Sequence, residues 1–302
     1  YTIDLYKEIE EISGHSVGLH MTGGFYLASN KTWYDYLKRE RSKARYMGLQ
    51  QEFISPAEAA DRHPLIDPKH YHAALWDEQD GDLDPSGATY AFAKAAKFYG
   101  AQYFTHTPAT STTQRSDGSW DVVTPKGAIN AEIIVNCGGL WAREVGHMQG
   151  LEIPVQPMEH HYLVTDEHSA IKKLEKELPV VRDPMASAYL RQEGKGLLIG
   201  PYEKNTKCWA LNGMDWKFDM ELLEPELDRI EEHLNIGMDR IPQFKDVGIK
   251  KIICGPITHT PDDNFLAGPA PGLKNFWMFC GASIGIAQGG GAGKYMAQWM
   301  IY

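Results

Sequence analysis

Cysteine is scarce in this chain: there are four in 302 residues, Cys137, Cys208, Cys254 and Cys280. They lie far apart and form no C-x-x-C, which excludes a zinc ribbon and a redox dithiol pair. Three of them, Cys137, Cys254 and Cys280, sit in apolar, strand-like runs. The sequence therefore predicts buried, reduced thiols and a reducing compartment, either the cytoplasm or the mitochondrial matrix. Positive charge is also in deficit. Thirty Lys and Arg face forty Asp and Glu, for a net charge of −10, which argues against a nucleic-acid or anionic-membrane partner. No apolar run approaches the roughly 18 residues of a membrane span. Two glycine signatures are missing as well. In the best Walker frame Gln288 replaces the first glycine and Tyr295 the Ser/Thr, and Lys294 occupies the last position of the best G-x-G-x-x-G. The acidic stretch Asp77–Pro85 lacks the spacing of a calcium loop and reads as a solvated turn, so no metal site is expected.

What is present is a hydrophobic content of 43%, enough for two domains or one large interleaved unit. The chain opens at Tyr1 without a Met or signal peptide and stops at Tyr302 directly after a helical pattern; it reads as an internal fragment of a longer protein. Helices are predicted over Tyr1–Ser13, Lys31–Tyr46, Pro85–Tyr99 and Leu223–Met238, and a capping box at Ser55–Glu58 starts a short one. Strands are predicted over Gly23–Ala28, Gln102–His106, His160–Thr165 and Val247–Cys254. A meander runs through Thr110–Gln114, Trp120–Thr124 and Ile129–Asn136, and a hairpin through Ala188–Arg191 and Leu197–Ile199.

Two junctions stand out. Ile133–Val135 runs into Cys137-Gly138-Gly139 and then a helix start. Phe276–Phe279 runs into a glycine-dense turn, with a helix expected over Ala292–Ile301. Such a junction gathers unpaired backbone N–H groups and favours anionic or electron-rich ligand atoms; it equally describes a tight turn that packs a helix on a sheet. Both runs are continuously apolar, so they are expected to be neighbouring buried strands of one sheet.

The motif Asn136-Cys137-Gly138-Gly139-Leu140-Trp141-Ala142-Arg143-Glu144-Val145-Gly146 resembles the flavin-dependent amine oxidoreductases, and within them the dimethylglycine and sarcosine dehydrogenases. The resemblance continues through Pro154–Thr165, Tyr189–Gly194, Gly200–Glu203, Gly255–Thr258 and the terminal glycine stretch. It implies a mixed α/β fold in which an FAD-binding dinucleotide domain is interleaved with an antiparallel-sheet substrate domain. The flavin-side segments would be about 85–150 and 255–302, and the substrate-side segments about 14–84 and 151–254. The family's G-x-G-x-x-G unit would lie upstream of Tyr1. A folate-binding half, and with it tetrahydrofolate, would lie downstream of Tyr302. The implied flavin contacts are Ala109, Cys137, Gly138, Gly139 and Trp141, with Gly281, Ala282, Ser283, Ile284, Gly285, Ile286 and Ala287 passing under the ring. The implied reaction is oxidative demethylation of an N-methyl amino acid, with oxygen or an electron-transfer flavoprotein as acceptor. The same architecture also resembles the non-catalytic regulatory subunit of pyruvate dehydrogenase phosphatase.

The amine must lose its proton before a hydride can leave its carbon, and a histidine can take that proton. Strand alternation puts His160, Tyr162 and Val164 on one face and His161, Leu163 and Thr165 on the other. The resemblance selects His160, facing inward to the substrate, with His161 outward; by itself either histidine reads as an ordinary strand residue. Tyr189 matches a tyrosine that lies over the flavin in relatives, and Tyr202 is a weaker candidate of the same kind. Arg191 reads either as a carboxylate clamp or as a solvent-facing side chain.

Overall fold

A computed structural model describes residues 1–302. In chain order its elements are α1 (Thr2–Ser13), β1 (Gly24–Ala28), α2 (Lys31–Tyr46), β2 (Gln51–Ile54), α3 (Pro56–Arg62), β3 (Ala73–Asp77), α4 (Pro85–Phe98), β4 (Ser111–Gln114), β5 (Trp120–Thr124), β6 (Gly127–Ala131) and β7 (Ile134–Asn136). They continue with α5 (Ala142–His147), β8 (Gln156–Thr165), α6 (Ser169–Lys172), β9 (Val180–Asp183), β10 (Ala188–Glu193), β11 (Gly196–Pro201), α7 (Leu227–Arg240), β12 (Ile249–His259), β13 (Leu266–Pro269), β14 (Phe276–Cys280) and α8 (Gly285–Ile301). Local chemistry sets several boundaries. Gly14 in the left-handed region ends α1, Asn30 caps α2, and Ser55 with Glu58 forms the capping box of α3.

Three sheets result. The largest has the order β12-β8-β11-β10-β9-β1-β3-β2, antiparallel throughout except for the parallel pair β1–β9. Its alternation separates two faces. One face sends Phe25, Leu27, Leu163, Val181, Leu190 and Ile199 into the main core, closed by Ile241 and Phe244 beyond α7. The helix comes so close that a Cβ on Gly237 would stand 2.4 Å from the Ile199 side chain. The other face carries Tyr26, Arg182, Tyr189 and His160. The second sheet is β13-β14-β7 and the third is the meander β4-β5-β6.

Ile134–Asn136 and Phe276–Met278 pair in parallel, as the sequence predicts. The expectation that both strands are covered on two faces holds only in part: Phe276 is fully buried, but Val135 is exposed, because β7 is the edge strand of its sheet. Other expectations are corrected. No strand forms over Gln102–His106; its backbone finds no neighbouring ladder, and Tyr103 and Phe104 are exposed. The predicted strand Ile129–Asn136 divides at Glu132–Ile133 into β6 and β7, which belong to different sheets. Helix α7 starts at Leu227 rather than Leu223, since Pro225 disfavours helical geometry in the residue before it; Leu223 bridges to Cys254 instead. Strand β12 runs on through Gly255-Pro256 to His259, which an edge strand tolerates. The glycine-dense turn is itself helical, because α8 begins at Gly285. Its glycines let α1 pack close: a Cβ on Gly290 would meet Leu5 at 2.9 Å and Thr2 at 3.1 Å. Finally, only Cys254 and Cys280 are buried, while Cys137 and Cys208 are exposed. No helix is long and apolar enough to cross a membrane.

Candidate active site

Strands β7 and β14 run in the same direction, so their C-terminal ends lie side by side and the two glycine junctions meet there. Ligands of parallel α/β sheets lie at this edge. Asn136, buried at the end of β7, shapes the first junction. Its amide donates to the Ala142 carbonyl (2.8 Å) and its side-chain oxygen accepts from Gly138 N–H (3.0 Å). The second junction turns at Gly281, whose φ of 75° suits glycine; a Cβ there would also come 2.6 Å from Thr260. Helix α8 follows with no side-chain cap at Ile284, which leaves its first-turn N–H groups free for a ligand. A Cβ on Gly285 would meet nothing closer than Ala282 at 3.9 Å, so the space above it is open. Tyr6 fixes the turn from below by donating to the Ile286 carbonyl (2.6 Å). Burial, followed by the proximity of Cys137, pushes the Cys280 thiol up to about 11.

These features fit a bound flavin: an uncapped helix start, a glycine turn and a second turn beside it. With flavin at this edge, Gly281, Ala282, Ser283, Ile284, Gly285, Ile286 and Ala287 would form one wall, and Cys137, Gly138 and Gly139 the neighbouring turn. Trp141 is turned toward a different segment, its indole N–H donating to the Asp215 carbonyl (3.0 Å). Ala109 lies in the irregular stretch before β4, whose sheet is not the one that carries the junctions.

The open face of the large sheet rises beside this edge. Gln156 pairs with His259, next to the Thr260 that supports Gly281. His160 lies four residues further along β8, roughly 13 Å at strand rise. Its ring is 5.9 Å from that of Tyr202, and Tyr202 is 5.8 Å from Tyr189, so Tyr202 bridges the two expected residues. Cross-strand register extends the row, since Tyr189 pairs with Arg182 and Arg182 with Tyr26. Burial lowers His160 below the ordinary histidine range, with Glu203 opposing that shift. Burial raises Tyr189 to about 12, while Tyr202 is half-exposed at the open side of the group. The face therefore offers a neutral imidazole beside two protonated phenols.

His161 does not face outward as expected. It is fully buried on the core side, where its Nδ1 lies 2.7 Å from Glu203 Oε1 and its Nε2 accepts the Glu226 N–H (3.0 Å). Arg191 is engaged by Glu193 (2.6 Å) and lies near Asp82 (3.6 Å), at the wall of a polar cavity of about 300 Å³ that also includes His20 and Glu177. The acidic loop has structural partners: Asp80 takes both guanidinium nitrogens of Arg182, and Asp84 caps α4. Sequence reasoning missed Gly200, Glu203 and Asn136. All three lay inside recognised motifs, but only the folded chain reveals what they touch.

A mixed α/β fold with a glycine-lined cofactor edge beside an aromatic antiparallel face defines a flavoprotein oxidoreductase. The model of the family "FAD dependent oxidoreductase" matches residues 1–299, and the chain belongs to that family. It is 41% identical over its whole length to human mitochondrial dimethylglycine dehydrogenase, covering 35% of that protein. It is 35% identical over 98% of its length to human mitochondrial sarcosine dehydrogenase, covering 32% of it. The mouse mitochondrial pyruvate dehydrogenase phosphatase regulatory subunit is 31% identical, over the whole chain and 34% of that protein. The chain thus spans about a third of the length of these relatives. Among solved structures, L-proline dehydrogenase from P. horikoshii superposes with a TM-score of 0.84 at 27% identity, covering 99% of this chain and 76% of that one.

Proposed function

We propose that this chain is part of the catalytic unit of a flavin-dependent amine dehydrogenase acting on an N-methyl amino acid of the dimethylglycine or sarcosine kind. The observation that carries the reading is the contiguous group His160, Tyr202 and Tyr189, on the sheet face beside the glycine-lined edge. Bound FAD would be held by Gly281–Ala287 and Cys137–Gly139, and it supplies the acceptor for the hydride that leaves the N-methyl carbon.

His160, kept neutral by burial, takes the ammonium proton and so frees the nitrogen lone pair. That lone pair stabilises the iminium left when the hydride departs. Water then splits the iminium into the demethylated amine and a one-carbon unit. Tyr189 and Tyr202 keep their protons and orient the amine or the carboxylate by donating hydrogen bonds. In this reading the flavin side comprises about 85–150 and 255–302, and the substrate side about 14–84 and 151–254. The mitochondrial relatives support placement in the same compartment.

The likeness to the regulatory subunit supports a second reading, a non-catalytic protein of the same fold. One experiment separates them. Purified full-length protein should carry flavin, and anaerobic dimethylglycine or sarcosine should bleach it; bound flavin that no N-methyl amine reduces would favour the regulatory reading.

A further inference from the structure

Behind the strand that carries His160 lies a buried polar network that the chemistry above does not use. His161 is fully buried and the Glu203 side chain is only 2% exposed. Glu203 Oε1 accepts from both the backbone N–H (2.9 Å) and the imidazole Nδ1–H (2.7 Å) of His161. The imidazole is neutral in this arrangement, because its Nε2 already accepts the Glu226 N–H. Glu203 Oε2 accepts from Arg229 (2.7 Å), and Arg229 also pairs with Glu159. Glu226 is 3.9 Å from Arg229 but is taken up by Lys207. Two carboxylates thus share one guanidinium, leaving one net negative charge beneath β8.

The placement of these groups in the chain matters. Glu159 and His161 flank His160, and Glu203 follows Tyr202. A single carboxylate therefore ties together the two backbones that hold the His160 and Tyr202 rings 5.9 Å apart. We propose that Glu203 is a positioning residue: it fixes the His160–Tyr202 pair and places a negative charge behind the protonated His160 formed when the amine gives up its proton. The inference rests on the proposed function for its role in the reaction. The groups facing His160 are Tyr202 and His259 on its own side of the sheet and His161 and Glu203 behind it. Of these, Glu203 favours the charged imidazole, while His259 opposes it. A buried hydrogen-bonded carboxylate acts strongly at such short range.

The test uses the flavin-loaded full-length protein labelled with ¹³C-histidine, with the His160 resonance assigned by its loss in His160→Gln. In Glu203→Gln the His160 titration should move to lower pH by roughly half a unit to one unit. Glu203→Asp, which keeps the charge, should restore most of that shift. Glu203→Ala, which removes the charge without leaving an amide to be satisfied, decides the matter if Glu203→Gln does not fold. The acid limb of kcat/KM for flavin reduction should move with the resonance. An unmoved His160 titration in the folded Gln or Ala variant, or an equal shift in Glu203→Asp, would overturn the proposal. If the titration moves as expected but no N-methyl amine reduces the flavin, the functional reading fails while the electrostatic role of Glu203 stands.

Discussion

The ring of Tyr189 lies across Gly200, its partner on the adjacent strand, so closely that a Cβ at Gly200 would stand 2.2 Å from the ring carbons. The glycine is therefore part of the site without touching a ligand. Gly200→Ala should displace the ring, at a cost of about 1–3 kcal/mol in stability. Stopped-flow reduction should slow at least tenfold while flavin content stays normal. Unchanged reduction in a folded Gly200→Ala protein would remove Tyr189 from the site.

His160→Gln should remove the acid limb from the pH profile of flavin reduction. Because burial lowers His160, that limb should lie below the ordinary histidine value near pH 6.5. Activity should be lost as pH falls through it, when the base becomes protonated before substrate arrives. His161→Gln should instead lower thermal stability, by about 1–3 kcal/mol for a disrupted buried hydrogen bond. If the limb persists in His160→Gln and disappears in His161→Gln, the two roles are reversed.

Gly285→Val should fold normally and lose flavin. The added side chain meets open space in the protein itself, with only Ala282 nearby, so any loss must come from a clash with the cofactor. Normal absorbance at flavin wavelengths in the purified variant would count against this wall of the site.

How much of this was legible in sequence depended on whether a feature was local. The alternation of His160 and His161 is a property of one strand and was readable, as was the pairing of two apolar runs that each end in glycines. The direction labelled inward was less so: the His161 face of β8 is sealed in the protein, while the His160 face is only half-buried. Helix α8 was shortened because glycine reads as a turn, yet here glycines are what α1 packs against. Gln102–His106 had strand composition and no partner, which composition does not report. Gly200 and Glu203 act on residues in other strands, and only the register shows those pairings.

His63 provides a test of stability separate from catalysis. It is fully buried at the end of α3, neither ring nitrogen has a partner, and burial pushes it down to about 4. Above the unfolded value near 6.5 both states are neutral and full stability is present. As pH falls from about 6.5 toward 4 only the unfolded chain takes the proton, so about 3 kcal/mol should be lost. Urea titrations of wild type and His63→Leu across this window should diverge in slope, the variant lacking this contribution. Parallel slopes would show that His63 is protonated in the folded state.

The hydrogen bond from Tyr6 to the Ile286 carbonyl spans 280 positions of sequence. A contact of that separation closes only after most of the intervening chain is ordered, because the entropy of so large a loop must be offset by structure formed first. The turn beneath the cofactor edge should therefore be completed late in folding. A ligand seated on it would act as a latch between α1 and α8, and hydrogen exchange at α8 should slow when that latch is in place.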